Sequence, residues 1–254
     1  MLYKKKLGQH FLTDQNIVNK LVKYIDPRQD DCIVEIGPGD GAMTKTIINK
    51  IKKIILIEKD SDLIDVLNKV ISESPNSELI NIDILKYDLT SIQNSIRVIG
   101  NLPYNISTEI IFKMCHSYNI SDIHFMLQKE VVDRIVAREN SKIYGRLSVM
   151  SQAYFEVKKL FDISNNVFSP KPKVKSSFIK LLPRKNVFDN KEHEKAFYKV
   201  VKCSFEGRRK MIKKSLSLFL NNQDFDTLKI KPELRAENLT IDEYIMISKY
   251  VTKI

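Results

Sequence analysis

The chain has 254 residues and a formal net charge of +11, from 42 lysines and arginines against 31 aspartates and glutamates. That length supports one large domain with an appendage, so folding needs neither a disulfide nor a metal. Its three cysteines, Cys32, Cys115 and Cys203, are widely separated and show no CxxC spacing, which excludes the common zinc patterns and fits buried thiols in a reducing compartment. No apolar run approaches the length that spans a bilayer. The basic start has no uninterrupted apolar region and meets Asp14 before any transit-like pattern develops, so we expect a cytoplasmic protein. The excess positive charge favours a polyanionic partner, with nucleic acid the leading candidate.

From about Asp30 short apolar runs alternate with helix-like segments, the mark of βαβ units and a parallel sheet. Residues 32–36 read as a first strand and 37–42 as its exit loop. A helix is expected over 44–51, a second strand over 54–57, a second helix over 61–72 and a third strand over 79–82. Residues 98–99 and 123–127 supply a fourth and a fifth strand. The fold class is α/β, a doubly wound and mostly parallel sheet. Pro170, Pro172 and Pro183, flanked by lysines, mark a change of texture, and we place a domain boundary there: residues 1–182, then 183–254. In the second part Phe197, Val200, Val201 and Phe205 keep helical spacing, as do Met211, Ile212, Leu216, Phe219 and Leu220. Thr240 followed by Glu243 is a capping-box start for a last helix. The expected appendage is small and helical.

Gly37-Pro38-Gly39-Asp40-Gly41-Ala42 follows a strand and precedes a helix, where glycines let the backbone approach a nucleotide-like ligand. The same residues satisfy G-x-G-x-x-A, so a dinucleotide reading is open, and Glu58 at the end of the second strand suits a ribose diol in either case. Glu35 discriminates: a carboxylate just before the glycines repels a pyrophosphate but tolerates an ammonium or sulfonium. That favours S-adenosylmethionine over NAD. Asp83, at the end of the third strand, can accept from an adenine amine. Acids at the ends of three successive strands, beside a glycine loop, point to one ligand crevice.

Asn101-Leu102-Pro103-Tyr104 closes the fourth strand with an amide, a turn that exposes backbone carbonyls, and an aromatic face. An exocyclic amine on a flat heterocycle needs acceptors for its N–H groups, a wall to stack on and a backbone held still by proline. We read the four residues as the jaw of an amino-methyltransferase.

These motifs have company. Gly8-Gln-His-Phe-Leu12, Val34-Glu-Ile-Gly-Pro-Gly-Asp-Gly41, Asn101-Leu-Pro-Tyr-Asn-Ile-Ser-Thr108 and Phe125-Met-Leu-Gln-Lys-Glu130 come in that order. They continue through Tyr144-Gly-Arg-Leu-Ser-Val-Met150, Phe168-Ser-Pro-Lys-Pro-Lys-Val174, Arg208-Arg-Lys210 and Arg235-Ala-Glu-Asn238. Together they resemble the RNA adenine-N6 dimethyltransferases over nearly the whole chain, and the last segments are similar to the small-subunit branch. The resemblance implies a Rossmann-like S-adenosylmethionine-dependent catalytic domain over 1–182 and a helical rRNA-binding domain over 183–254. It implies dimethylation of N6 on two adjacent adenosines in the 3′-terminal hairpin of 16S rRNA, within the immature small subunit, by a monomer that uses no metal and touches no membrane.

Within that resemblance, His10 and Leu12 close over the cofactor and Gly37 lies against its methionine part. Glu58 holds the ribose, Asp83 the adenine amine, and Asn101 faces the transferable methyl. Asp40 stands where an apolar or small residue is more usual. On chemical grounds the Asn101 side-chain oxygen and the carbonyl of Leu102 or Pro103 accept the two N–H bonds of the target amine. Tyr104 stacks on the base, which is worth about 1–3 kcal/mol. Phe168 is the candidate for the opposite wall. Lys171, Lys173 and Lys175 around the linker, with Arg208, Arg209, Lys210, Lys213 and Lys214 in one helical segment, are the candidate phosphate contacts. A large-subunit (23S) adenine methylase of the antibiotic-resistance type shares the catalytic residues and differs mainly in the helical part. Residues 235–238 and 144–150 favour the small-subunit type. A non-catalytic nucleic-acid-binding factor on the same scaffold is disfavoured by the intact jaw and glycine loop.

Overall fold

The computed structural model describes residues 9–207 and 209–253. The first elements are β1 (Phe11–Leu12) and α1 (Gln15–Ile25). The Asp14 carboxylate starts α1 by accepting from the backbone N–H groups of Asn16 and Ile17 at 2.8 and 3.2 Å, donors that a helix start otherwise leaves unpaired. The βα alternation continues as β2 (Cys32–Ile36), α2 (Ala42–Ile47), β3 (Lys53–Glu58), α3 (Ile64–Ile71), β4 (Ser77–Asn81), β5 (Ile96–Asn101), α4 (Ser107–Met114) and β6 (Ile120–Gln128). The five strands run parallel in the order β4-β3-β2-β5-β6. All of β2 is buried, as a central parallel strand covered on both faces must be.

After α5 (Lys129–Ile135) and α6 (Arg146–Tyr154) come β7 (Phe155–Ile163), β8 (Phe168–Ser169) and β9 (Ser176–Pro183). β9 joins the sheet antiparallel to β6, with β7 at the edge beyond it, and β8 pairs with β1 in a separate two-stranded ribbon. Strand pairing therefore continues past Pro170 and Pro172. Residues 176–181 are mostly buried, so they lack the alternation that announces a half-exposed strand. Lys171, Lys173 and Lys175 lie between two strands of this unit and not in a linker. The helices α7 (Lys191–Glu206), α8 (Ile212–Ser215), α9 (Asn222–Leu228) and α10 (Ile241–Val251) complete the chain.

The chain divides into two compact units: the described residues up to Val132 with Lys158–Pro183, and Asp133–Val157 with those from Arg184 onward. The second unit thus takes in α6, which the sequence rhythm assigns to the first. Buried Leu147 and Tyr144 explain it, since α6 packs on α7 and α10 around Phe197, Val200, Val201 and Tyr244. The hydroxyls of Tyr144 and Tyr244 donate to the carbonyls of Leu239 and Ala236 at 3.0 and 2.7 Å. Thr240 and Glu243 form the expected capping box on α10. Cys32 and Cys115 are buried, whereas Cys203 is only partly so.

The basic segment is not one helix. α7 ends at Glu206 and α8 begins only at Ile212. Between them Lys210 N–H returns to Gly207 O at 2.7 Å, and Gly207 stands at the helix end, where glycine commonly stops a helix. Met211 then bridges to Arg235 in strand-like fashion, and Ile212 N–H bonds Leu234 O at 2.6 Å. Those bonds draw the backbone out of helical geometry. Arg209 and Lys210 sit exposed on the resulting turn, and Arg208 lies outside the described residues. Among the described residues no helix is long and apolar enough to cross a membrane.

Candidate active site

The strand order reverses between β2 and β5, and the carboxyl ends of the strands open a cleft there. His10, Leu12, Gly37, Glu58, Asp83, Asn101, Leu102, Pro103 and Tyr104 all line it, with Glu35, Lys59, Asn105 and Met126. The glycine loop is built for close approach. Gly37, Gly39 and Gly41 have φ of +64°, +62° and +80°, the region side chains rarely adopt. A Cβ on Gly39 would stand 3.1 Å from the Phe11 ring, so the loop runs directly beneath β1.

The acids divide the work. Glu35 is 1% exposed; its Oε2 accepts from the Thr44 hydroxyl at 2.6 Å, and its Oε1 has no hydrogen-bond partner among the described residues. Burial, opposed by the Thr44 bond and reinforced by the nearby charges of Glu58 and Asp40, pushes its carboxyl up to about 7. Glu58 is 6% exposed, with Oε1 accepting from Asp60 N–H at 2.8 Å and Oε2 from Gly39 N–H at 3.3 Å. These bonds hold its carboxylate face still, although burial raises its pKa. Asp83 accepts from Lys59 Nζ at 2.8 Å and from Leu85 N–H at 2.9 Å, and the Lys59 bond keeps its carboxyl below the usual range.

Among the described residues four acids line the cleft, Glu35, Asp40, Glu58 and Asp83, against the single lysine Lys59. A pyrophosphate would meet net repulsion there. A ligand rich in donors and positive charge fits: hydroxyls and amines for Glu58 and Asp83, and a cation for the unpartnered Oε1 of Glu35.

At the other end of the cleft, Asn101 Nδ2 donates to His10 O at 2.8 Å. A carbonyl can only accept, so this bond assigns Nδ2 and leaves Oδ1 as the amide's acceptor atom, on a residue that lines the cleft. Leu102 N–H anchors the turn on Met126 O at 3.1 Å, while Pro103 O accepts from Ile106 N–H at 3.3 Å. The His10 ring lies against Tyr104, centroids 5.4 Å apart and planes inclined at 32°. Its Nδ1 meets Pro170 O at 2.7 Å, so that nitrogen carries the proton. The Tyr104 hydroxyl pairs with Ser176 Oγ at 2.9 Å.

A family model described as ribosomal RNA adenine dimethylase matches residues 2–253. The chain belongs to that family. A curated relative from Wigglesworthia glossinidia brevipalpis, ribosomal RNA small subunit methyltransferase A, is 45% identical, covering 96% of this chain and 95% of its own. Among solved structures, a dimethyladenosine transferase from Plasmodium falciparum superposes with a TM-score of 0.85 at 24% identity, over 96% of this chain and 98% of that one. The 23S rRNA methyltransferase ErmE gives 0.74 at 21% identity, over 95% and 99%. These two likenesses establish the Rossmann-like methyltransferase fold. Members of the family are methyltransferases that use S-adenosylmethionine as methyl donor.

Phe168 does not join the cleft. It is 4% exposed, pairs with Leu12 in the β1–β8 ribbon, and packs with Val18, Leu21 and Phe178 in the core of the first unit. It therefore supports the back of β1 and is no wall for a base. Arg209 and Lys210 belong to the second unit. Sequence reasoning missed Lys59 and Ser176. Lys59 had a signal, a cation next to a strand-end acid. Ser176 had none, because its role depends on the register of a strand that the pattern does not reveal.

Proposed function

We propose that the protein transfers methyl groups from S-adenosylmethionine to N6 of two adjacent adenosines in the 3′-terminal hairpin of 16S rRNA, giving N6,N6-dimethyladenosine on the immature small subunit. It acts as a cytoplasmic monomer, and its helical second unit serves as the rRNA-binding part. One observation supports the chemistry: the Asn101 amide donates through Nδ2 to the His10 carbonyl, which leaves Oδ1 as the acceptor atom of a side chain that lines the cleft with the turn residues Leu102 and Pro103.

S-adenosylmethionine supplies an electrophilic sulfonium methyl when bound. Glu58 suits its ribose, Asp83 its adenine amine, and Glu35 with Gly37 its cationic methionine part, with His10 and Leu12 closing the site. The adenine amino nitrogen is a poor nucleophile because its lone pair is conjugated into the ring. Asn101 Oδ1 and a backbone carbonyl accept its two N–H bonds and draw it toward pyramidal geometry, freeing the lone pair for attack. Pro103 O already accepts from Ile106, which favours the Leu102 carbonyl. Tyr104 stacks on the base, and alignment supplies much of the remaining rate. The released proton leaves to solvent, so no histidine base is required. The target base must be flipped out or already unpaired to reach the cleft.

A methylation assay offering naked 16S RNA, immature small subunits and large subunits in parallel, with mass mapping of the product, tests this reading. We expect dimethyladenosine at adjacent positions near the 16S 3′ end; product on large subunits alone would refute it. Asn101→Ala should abolish transfer and leave S-adenosylmethionine affinity within a few fold. Retained transfer would remove Asn101 from the clamp.

A further inference from the structure

We infer that Ser176 is a positioning residue for the second of the two methyl transfers, acting through Tyr104. The inference rests on the reading of residues 101–104 as the amine clamp. Ser176 begins β9, is fully buried, and stands opposite Gln128 of β6 in the antiparallel register. Its hydroxyl is therefore carried on sheet backbone and not on a loop. Tyr104 follows a proline turn and is only half-buried, so its ring depends on other groups for its place. Two hold it. The Ser176 hydroxyl lies 2.9 Å from the phenol oxygen, and the His10 imidazole, itself tied to Pro170 O at 2.7 Å, lies against the ring body. Removing the first leaves the far end of the ring free to swing about χ1.

The two transfers do not depend equally on that ring. An unmethylated amine offers two N–H groups, one to Asn101 Oδ1 and one to the turn carbonyl, so two directional bonds and one stacking contact locate the base. After the first transfer one hydrogen has been replaced by methyl, and only one directional bond remains. The stacking wall must then supply more of the base's orientation, at the step where the amine also has to turn and re-enter the clamp. A wall that swings therefore slows the second transfer more than the first. The chemistry of each step is unchanged: the nitrogen gains one methyl, loses one proton to solvent, and the donor leaves as the neutral thioether.

The test is a time course on immature small subunits, resolving N6-monomethyl- from N6,N6-dimethyladenosine by mass spectrometry. For Ser176→Ala we expect the ratio of second-step to first-step rate to fall about three- to tenfold, the typical worth of one neutral hydrogen bond, with the first step within about twofold of wild type. Tyr104→Phe removes the same bond from its other side and should give the same accumulation of monomethyl product, even where the serine variant folds poorly. The double variant should be no worse than either single one, as expected for two groups acting through one contact. Ser176→Thr, which keeps the hydroxyl, should restore the ratio. An unchanged ratio in both single variants, or effects that add independently, would overturn the role of Ser176 while leaving the functional reading in place. Wild-type protein that makes neither product would instead overturn the reading on which the inference rests.

Discussion

Replacing Glu35 with Gln should remove a pH dependence of stability that the cleft builds into the protein. Glu35 is 1% exposed with one oxygen unpartnered among the described residues, and its carboxyl is pushed from 4.5 to about 7 by burial first and by Glu58 and Asp40 second. The native state therefore keeps a proton that the unfolded chain gives up. The stabilisation is fully present below pH 4.5 and is lost as pH rises through 7. A displacement from 4.5 to about 7 amounts to roughly 3 kcal/mol at 1.36 kcal/mol per pH unit. At the usual sensitivity of a domain of 150–250 residues this is roughly 6–12 °C in Tm. The glutamine leaves an amide near the unpartnered site, which adds a constant offset and no slope. Urea unfolding of ligand-free wild type and variant at pH 4.5, 6 and 8 should give a stability difference that drifts in the variant's favour by about this amount. A cationic ligand beside the carboxylate should also lower its pKa, so binding S-adenosylmethionine near pH 6.5 should release a proton from wild type and none from Glu35→Gln. Calorimetry in two buffers of different ionisation enthalpy reads this directly. Parallel pH profiles for the two proteins would refute the reasoning.

Arg97 bonds Asp31 at 2.6 Å, Asp122 at 2.9 Å and the carbonyls of Ile25 and Asp26, with all three charged side chains largely buried. Arg97→Met should cost about 3–5 kcal/mol, because Asp31 loses the guanidinium and Asp122 is left with Lys180 at 3.7 Å; a loss under about 1 kcal/mol in urea unfolding would contradict that. Five exposed cations, Lys171, Lys173, Lys175, Arg209 and Lys210, are offered to RNA phosphates. If all five engage, log affinity should fall with log salt at a slope of about −4 to −5, and a filter-binding series with a slope near zero would remove them from the interface. Each charge-neutral variant should shallow that slope by about one unit.

Much of the cleft was legible because its chemistry sits at strand ends. Residues 32–36, 54–57 and 98–99 read as buried apolar runs. Gly37, Glu58 and Asn101 stand at or just past their carboxyl ends, and parallel topology brings those ends to one edge of the sheet. Local sequence carries that information. Phe168 and Ser176 were beyond it for a shared reason: both lie where the chain turns back antiparallel, and which face of a strand a residue occupies depends on a register set by β1 and β6. A core aromatic and a wall aromatic look alike until that register is known. The basic segment failed differently. Helical spacing over 208–216 is real, but Gly207 and the tertiary bonds to Leu234 and Arg235 override it, and a partner more than twenty residues away leaves no mark on a local pattern.

The charge distribution gives the cleft a direction. A chain of net charge +11 attracts RNA over its surface, yet the cofactor end of the cleft is lined by Glu35, Asp40, Glu58 and Asp83 with, among the described residues, only Lys59 against them. A phosphate that strayed into that end would meet net negative charge at short range, where partial burial weakens screening. The groups that hold Tyr104 neighbour cations in sequence: Ser176 directly follows Lys175, and His10 bonds Pro170 at the start of the exposed Lys171, Lys173 and Lys175 run. A polyanion is therefore opposed at the acid end, while exposed lysines stand in the segment that holds Tyr104. The uncharged base is the part of the nucleotide that can enter between them without penalty. Selection of a flipped base over its own backbone then arises from electrostatics before any hydrogen bond to the amine is made. Reversing the acid end with Asp40→Lys should let short oligonucleotides compete with S-adenosylmethionine in equilibrium binding, and an oligonucleotide that competes no better with this variant than with wild type would show that the acids play no such part.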